Sequence, residues 1–355
     1  MTLPEGSVRI AMSRCNNDIM RKVLIWALDG GLATGVTGPV DVFTVVNAMA
    51  ARRHGAQSRP ALEWEIQSVS AQPIRTAAGV TIAPHARLDP EAQADVIFLP
   101  GLFIESVGPA LWTELQRHRW LLPALRKQLE RGAVLAANCT ATLLLAEAGV
   151  LDGRMATTSW WLSGVFRQRY PAVDLRVDQA VTYDRGVFCS GASTAGLQLA
   201  LRLAERFCGR SVASSAAKTL LLDGSNGSQA PYRSLALVER EGHGDALVQR
   251  AQRWIERRIG EPFQLGALAQ ALAVSERTVI RRFKAALAVT PGHLAQLMKV
   301  QEAKRLLEAS EISWDAVCER VGYGDASSFR RLFKREVGLS PGAYQTRFAQ
   351  KRARA

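Results

Sequence analysis

The sequence is poor in the features that mark secreted, metal-binding or membrane proteins. Its five cysteines (Cys15, Cys139, Cys189, Cys208 and Cys318) are odd in number, widely spaced and free of any CxxC pair. Neither a disulfide framework nor a zinc ribbon can be built from them. Histidine is equally scarce, five in all and dispersed, so no metal or other cofactor is expected. No run of about 18 apolar residues is present for a membrane helix. The opening MTLPEGSVRIAMSRCNND lacks the apolar centre of a signal peptide. These absences predict a cytoplasmic protein with free thiols and no membrane partner.

What is present is a chain of 355 residues, 48% hydrophobic and 22% charged, enough for two ordinary domains. Its formal charge of +13 is unevenly placed. Residues 245–355 carry 20 Lys/Arg against 11 Asp/Glu, a net +9, which leaves +4 on the first 244 residues. A cationic excess gathered in one domain suits an acidic polymer such as nucleic acid. On charge alone, a generally basic solvated surface is the competing explanation.

Residues 1–21 read as a polar N-terminal extension. From Lys22 onward, apolar β-rich runs alternate with helical stretches. KVLIWAL (22–28), LEWEIQSVS (62–70), GVTIA (79–83), DVIFLPG (95–101) and AVLAAN (133–138) are strand candidates. Helices are predicted over PVDVFTVVNAMAARR, WLLPALRKQLERG, ATLLLAEAGVL and TAGLQLALRLAERFCG, with another to about Leu222. Buried strands interleaved with helices predict an α/β domain with a mostly parallel sheet over 22–222. The stretch DGSNGSQAPYRS breaks the periodicity and opens a linker placed at 223–244. Residues 245–348 read as all-helical, followed by a basic tail at 349–355.

The helical domain contains an internal repeat. RTVIRRFKAALAVTPGHL (277–294) parallels SSFRRLFKREVGLSPGAY (327–344), with Phe283/Phe333, Lys284/Lys334 and Pro291-Gly292/Pro341-Gly342 in register. Each copy follows a short amphipathic helix and a tight turn, with Ser275 and a residue near Asp325 as expected N-caps and Gly322 and Gly324 easing the second turn. Val279 and Phe283, like Phe329, Leu332 and Phe333, share an apolar face. Arg277 and Arg281, and Ser327 and Arg331, are each four apart and project together on the other side. Such a helix suits the major groove, where arginine binds a guanine edge with two hydrogen bonds. Thr278 and Ser328 lie beside these positions, and Arg282, Arg330 and Lys334 are expected at phosphates.

Residues from about 250 to 348 resemble the AraC/XylS DNA-binding domain. The likeness is carried by Gly322-Tyr323, Ser327-Ser328, Phe329, Arg331, Phe333-Lys334, Gly338 and Ser340-Pro341. Tyr323 and Cys318 stand where phenylalanine and alanine are common in that family. The resemblance implies two recognition helices joined by a long helix over 293–309, entering successive major-groove segments of double-stranded DNA. It also implies that Arg277, Arg281, Ser327 and Arg331 read bases.

In the first domain, the strand ending at Cys139 runs straight into a helix, the shape of a nucleophile elbow, where a helix N-terminus lowers a thiol's pKa. With GPVDVF (38–43), IFLPG (97–101) and LLLAEAGVLDGRMATTSW (143–160), this segment resembles the ThiJ/PfpI, or class I glutamine-amidotransferase-like, domain of flavodoxin-like fold. The order of the two domains is that of the GlxA-type regulators. Related sequences often carry histidine where this one has Ser159, and the usual Pro-Gly-Gly turn here reads Pro100-Gly101-Leu102. Serine cannot act as the base that cysteine hydrolysis needs. The expected role is therefore a sensor without catalytic residues, with a cysteine amidohydrolase tethered to DNA as the alternative.

The candidate ligand residues are Asp41, Gly101, Cys139, Thr140, Ser159 and Trp160. Asp41 either orients a ligand amine or caps a helix. Trp160 and Trp161 either embrace a cationic ligand or pack in the core. Cys139 is also a candidate redox switch. The whole is expected to be a homodimeric transcription regulator that answers a small, nitrogen-containing effector and acts on RNA polymerase at a promoter. A non-specific architectural DNA binder is a third possibility.

Overall fold

A computed structural model of the chain describes residues 20–54, 60–105, 107–223, 227–234, 245–287, 289–309 and 312–349. The expected N-terminal extension up to residue 19, most of the linker and the tail from residue 350 lie outside the described residues. Two compact units divide the chain. The first is Met1–Glu105, Leu111–Ser159 and Arg169–Gly227; the second is Ser106–Ala110, Trp160–Gln168 and Ser228–Ala355.

The first unit is built on a seven-stranded sheet of β1 (Arg21–Trp26), β2 (Leu62–Ser68), β3 (Ala86–Arg87), β4 (Val96–Leu99), β5 (Val134–Asn138), β6 (Val181–Asp184) and β7 (Val187–Ser190). Their order across the sheet is β6-β7-β5-β4-β1-β2-β3, parallel throughout except for β6 against β7. The central strands Val23–Trp26, VIFL and VLAAN are buried residue by residue. A strand covered on both faces requires such a continuous apolar run.

The helices of this stretch of chain are α1 (Ala33–His54), α2 (Pro109–Arg117), α3 (Leu122–Glu130), α4 (Thr142–Glu147), α5 (Ser163–Arg169), α6 (Ala195–Cys208) and α7 (Arg210–Thr219), of which α5 up to Gln168 and the first two residues of α2 fall in the second unit. On one face, Val42, Phe43 and Val46 of α1 pack with Leu199, Leu203 and Val212 over Val23, Ile25 and Phe98. On the other face, α3 and α4 lie against β5 and bury Leu125, Leu143 and Leu144. The chain leaves β1 for β2 on one side and returns to β4 on the other. The carboxyl ends of β1 and β4 therefore border a topological switch point, where open α/β sheets take ligands.

Three expectations need correction here. GVTIA contributes only Thr81–Ile82, paired with Ile74–Arg75 in a separate two-residue antiparallel ladder. The hairpin β6–β7 was not anticipated, although Asp184-Arg185-Gly186-Val187 signals it. Arg185 and Gly186 have φ of 42° and 87°, the two positive values of a type I′ turn. Helix α1 starts at Ala33 and carries Pro39 inside it, so the Gly35 carbonyl lacks its usual intrahelical donor. Tertiary packing holds this turn helical: a Cβ on Gly38 would stand 2.6 Å from a Leu197 methyl.

From Asp245 onward every described element is helical: α8 (Ala246–Arg257), α9 (Leu265–Leu272), α10 (Glu276–Leu287), α11 (Pro291–Ala309), α12 (Trp314–Arg320), α13 (Ala326–Val337) and α14 (Pro341–Phe348). Two cores form. Val248, Ile255, Leu268, Leu272, Val279, Phe283 and Leu294 make the first. Val300, Leu307, Val317, Phe329, Phe333 and Tyr344 make the second. Phe329 lies between the rings of Trp314 and Tyr323, with centroids at 5.1 and 4.6 Å. Helix α11 contributes its first half to one core and its second half to the other.

The expected linker is not wholly extended. Ala230–Tyr232 form a 3-10 turn. Tyr232 packs edge-on against Phe348 at 5.4 Å, and its hydroxyl accepts a hydrogen bond from Arg347 at 2.7 Å. The Lys304 ammonium donates to the Arg233 carbonyl at 2.6 Å.

Candidate nucleic-acid interface and ligand site

Each repeat folds as a short helix, a turn and a second helix: α9 into α10, and α12 into α13. The turns need one residue with positive φ, supplied by Ala273 (56°) in the first copy and Gly322 (62°) in the second. Gly324 does not adopt that conformation, contrary to expectation. The expected caps are in place. Ser275 Oγ accepts the Thr278 N–H at 3.2 Å, and Asp325 accepts the N–H groups of Ser327 and Ser328 at 2.9 and 3.2 Å.

The caps and the cores fix which side chains point outward. Val279 and Phe283 are fully buried, as are Phe329 and Phe333, which turns Arg277, Arg281, Ser327 and Arg331 to solvent. Arg277, Arg281, Arg330, Arg331 and Lys334 are exposed and form no salt bridge among the described residues. Unpaired cations of this kind are available to bases and phosphates. Thr278 and Ser328 are half-buried beside them. The Thr278 hydroxyl lies 3.0 Å from Ser275 Oγ and so belongs to the cap.

Arg282 is the exception among the expected phosphate contacts. Its guanidinium makes a bidentate pair with Asp245, at 2.6 and 2.8 Å. Asp245 is also the N-cap of α8, accepting the N–H groups of Leu247 and Val248 at 2.9 and 3.2 Å. In the register of the repeat, Arg282 corresponds to Leu332, a core residue of the second copy. Its side chain stays exposed but turns toward the start of α8, and the alignment with a core residue was the signal that could have found it. Arg282 therefore braces α10 against α8 and is not free for a phosphate.

The Arg282 hydrogen bond, the strongest influence, acts with the two N–H groups and the arginine's charge against the opposing effect of burial to hold the Asp245 carboxyl at about 2. Its folded pKa lies below the unfolded value, so its contribution is full above about pH 4 and disappears as pH falls through about 2. The difference in urea midpoint between the wild type and Asp245→Asn should therefore shrink as pH falls through this window. A difference constant from pH 5 to pH 2 would sink the assignment. Asp245→Asn keeps a capping oxygen, whereas Asp245→Ala removes the cap as well and should cost about 1 kcal/mol more at neutral pH.

In the first unit, Cys139 directly follows β5, with φ of 56°. This strained elbow is held from several sides. The hydroxyls of Thr142 and Thr158, 2.7 Å apart, face the Cys139 carbonyl at 2.7 and 3.3 Å. Thr140 Oγ1 donates to the Leu102 carbonyl at 2.7 Å. Asn138 Nδ2 donates to Ser190 Oγ at 2.9 Å. Gly101 approaches so closely that a Cβ there would stand 2.7 Å from the Cys139 Cβ. Gly101, Cys139, Thr140 and Ser159 thus come together at the carboxyl ends of β4 and β5.

The thiol is not activated. Ser159 Oγ donates to Cys139 Sγ at 2.9 Å, but burial dominates and pushes the thiol pKa up. This reverses the expected lowering, because the helix behind the elbow is a short 3-10 turn followed by six α-helical residues, too little to offset desolvation. His85 Nδ1 accepts the Ile66 N–H at 3.1 Å, and His118 Nε2 pairs with Glu114 at 3.0 Å, so both are committed elsewhere.

Asp41 is exposed in the interior of α1, eight residues past its start, and so cannot cap it. Trp160 and Trp161 meet edge to face, with centroids 5.5 Å apart and planes at 86°, the geometry of packed rings and not of facing walls. A groove of about 590 Å³ lies elsewhere in the first unit, bordered by β6, α6 and α7, with Gln198, Arg202, Glu205 and Lys218 on its walls.

Residues 21–206 match the DJ-1/PfpI family, and residues 268–347 match a helix-turn-helix domain. Over 280 residues the chain is 26% identical to the HTH-type transcriptional regulator CdhR of Pseudomonas aeruginosa, a match covering 78% of this chain and 80% of that one. It is 23% identical over 307 residues to GbdR, another HTH-type transcriptional regulator of Pseudomonas aeruginosa, covering 85% and 81%. A solved AraC family transcriptional regulator from Pseudomonas putida is 18% identical, with a TM-score of 0.45, over 56% of this chain and 99% of that one. Among the described residues no helix is long and apolar enough to cross a membrane. The chain belongs to the DJ-1/PfpI family and carries in its second unit a helix-turn-helix domain, the arrangement of a DNA-binding transcriptional regulator like the HTH-type regulators it resembles.

Proposed function

We propose that the regulator is sequence-specific, reading a two-part operator with α10 and α13, and that the first unit senses a small effector. The observation that carries the first half is the exposed, unpaired set Arg277, Arg281 and Arg331 on the outer faces of two capped helices. Arg330 and Lys334 then serve phosphates, and Ser327 reads a base edge beside Arg331. The effector half is supported by the convergence of Gly101, Cys139, Thr140 and Ser159 at the carboxyl ends of β4 and β5, next to the switch point between β1 and β4. The resemblance to regulators of this architecture makes a nitrogen-containing metabolite the favoured class.

A sensing role without catalysis follows from the chemistry at Cys139. A buried, neutral thiol hydrogen-bonded to a serine has, among the described residues, no basic group bonded to it to take its proton. The same burial disfavours the redox switch, since the thiolate is the form that oxidises. Turnover of an amide substrate that disappeared in Cys139→Ala would restore the cysteine-hydrolase alternative. Dimerisation would raise the effective concentration of the DNA-binding units at a repeated site. Contact with RNA polymerase would turn binding into activation.

The test is recovery of genomic fragments by the purified full chain at physiological salt, followed by sequencing. A small set of promoters sharing a two-part motif is the expected result. Uniform recovery that tracks salt alone would mean that charge, not base reading, drives binding.

A further inference from the structure

The two helix-turn-helix copies are not simply tethered by α11; they are stitched at one point. Lys299, near the middle of that helix, is buried to 5% exposure. Its ammonium donates to the carbonyls of Ile259 (2.6 Å) and Glu261 (2.9 Å), on the segment between α8 and α9, and to the carbonyl of Val321 at the end of α12. Three donors meet three acceptors, so the group is fully satisfied and bridges both copies. Burial draws its pKa down to about 8, the cost of placing a cation in this position.

The backbones around Lys299 are correspondingly close. A Cβ on Gly322 would stand 2.1 Å from the Gly260 carbonyl oxygen, and one on Gly260 would stand 3.2 Å from the Arg320 carbonyl oxygen. Only glycines let the segment before the first recognition unit touch the turn of the second. A buried salt bridge or apolar residue would hold the core as well as lysine does, but neither would tie three carbonyls from two different copies. The geometry therefore does more than stabilise: it joins backbone of both copies at one point.

We infer that the Lys299 stitch, with its Gly260–Gly322 contact, is the positioning element that sets the spacing between the two half-sites the protein accepts. The inference rests on the base-reading role proposed above. Its physical content lies in the duplex: one added base pair moves a half-site by about 3.4 Å and rotates it by roughly 35°. A rigid pair of recognition helices cannot follow that step. A loosened pair can, but loses the effective concentration of a preorganised second contact.

The test uses the full chain and duplexes carrying the two-part motif recovered by selection from a random pool, together with half-site duplexes and versions with one base pair inserted or removed. Wild type should lose about tenfold in affinity at either altered spacing. Lys299→Met should keep half-site affinity, lose about tenfold on the selected duplex and show nearly flat affinity across spacings. Lys299→Arg, which keeps a charged multiple donor, should retain the spacing preference.

Should Lys299→Met fail to fold by circular dichroism, Gly260→Ala opens the same contact by a few tenths of an ångström and should shift or flatten the preference. A spacing preference unchanged in every folded variant of Lys299→Met and Gly260→Ala would overturn the inference while leaving base reading intact. A wild type that binds all duplexes alike, with no preferred half-site, would overturn base reading itself and the stitch's role with it.

Discussion

Replacing Arg281 or Arg331 by alanine is expected to weaken binding at a cognate duplex by about 1–3 kcal/mol, roughly 5- to 150-fold. Both arginines are exposed, unpaired, and set in register by the repeat, one on each recognition helix. A guanidinium that donates two hydrogen bonds to one base loses both when truncated, and the base edge is left without them. The loss should therefore be confined to the preferred base at that position, and the variant should accept substitutions there that wild type rejects. Binding to random duplex should fall only by the share of one phosphate-range charge, reducing the salt slope by about one. Titration of cognate, singly substituted and random duplexes separates the two behaviours. Equal loss on all three would reassign these arginines to the backbone. Arg282→Ala serves as the internal contrast, since its guanidinium is held by Asp245. It should alter the stability of the first copy more than its base preference.

The second large effect is expected at Gly101. Alanine there would put a methyl 2.7 Å from the Cys139 Cβ and 2.9 Å from the Asn138 carbonyl oxygen. Neither neighbour can yield cheaply. The Cys139 carbonyl is held by Thr142 and Thr158, the Asn138 side chain by Ser190, and the Leu102 carbonyl by Thr140. Cys139 already sits at positive φ, so strain added there falls on a backbone with none to spare. Gly101→Ala should destabilise the first unit by about 3 kcal/mol or more, beyond the usual cost of overpacking. Gly108, with nothing within 4 Å of its would-be Cβ, is the control, and its alanine variant should lie within about 0.5 kcal/mol of wild type. Denaturant unfolding of the full chain reports both. A Gly101→Ala midpoint equal to the control's would show that the elbow can relax.

The effects at Gly101 and at Arg282 share a cause. Each residue's behaviour is decided by a partner far away in the chain: Cys139 for Gly101, and Asp245 for Arg282. The same is true of Lys299, which is an ordinary helical lysine in sequence and a three-way stitch in the fold. Nothing in the spacing of MKVQEAK indicates that its fourth methylene ends beside carbonyls from two other segments.

Sequence alone determined the local and periodic features of this protein. The duplicated helix-turn-helix, its Ser275 and Asp325 caps, the apolar faces of Phe283 and Phe333, and the buried strands VLIW, VIFL and VLAAN were all legible. Their signals depend on residues within a few positions of one another, or on a period set by backbone geometry. Tertiary structure alone decided which cations are free, which way the Cys139 thiol shifts, how far α1 extends through Pro39, and where Lys299 ends. Protonation, ion pairing and burial depend on which distant segments come together, and a hydrophobic period carries no information about that juxtaposition. Burial raised the thiol where a helix start was expected to lower it, because desolvation by a packed sheet outweighs the dipole of one short turn.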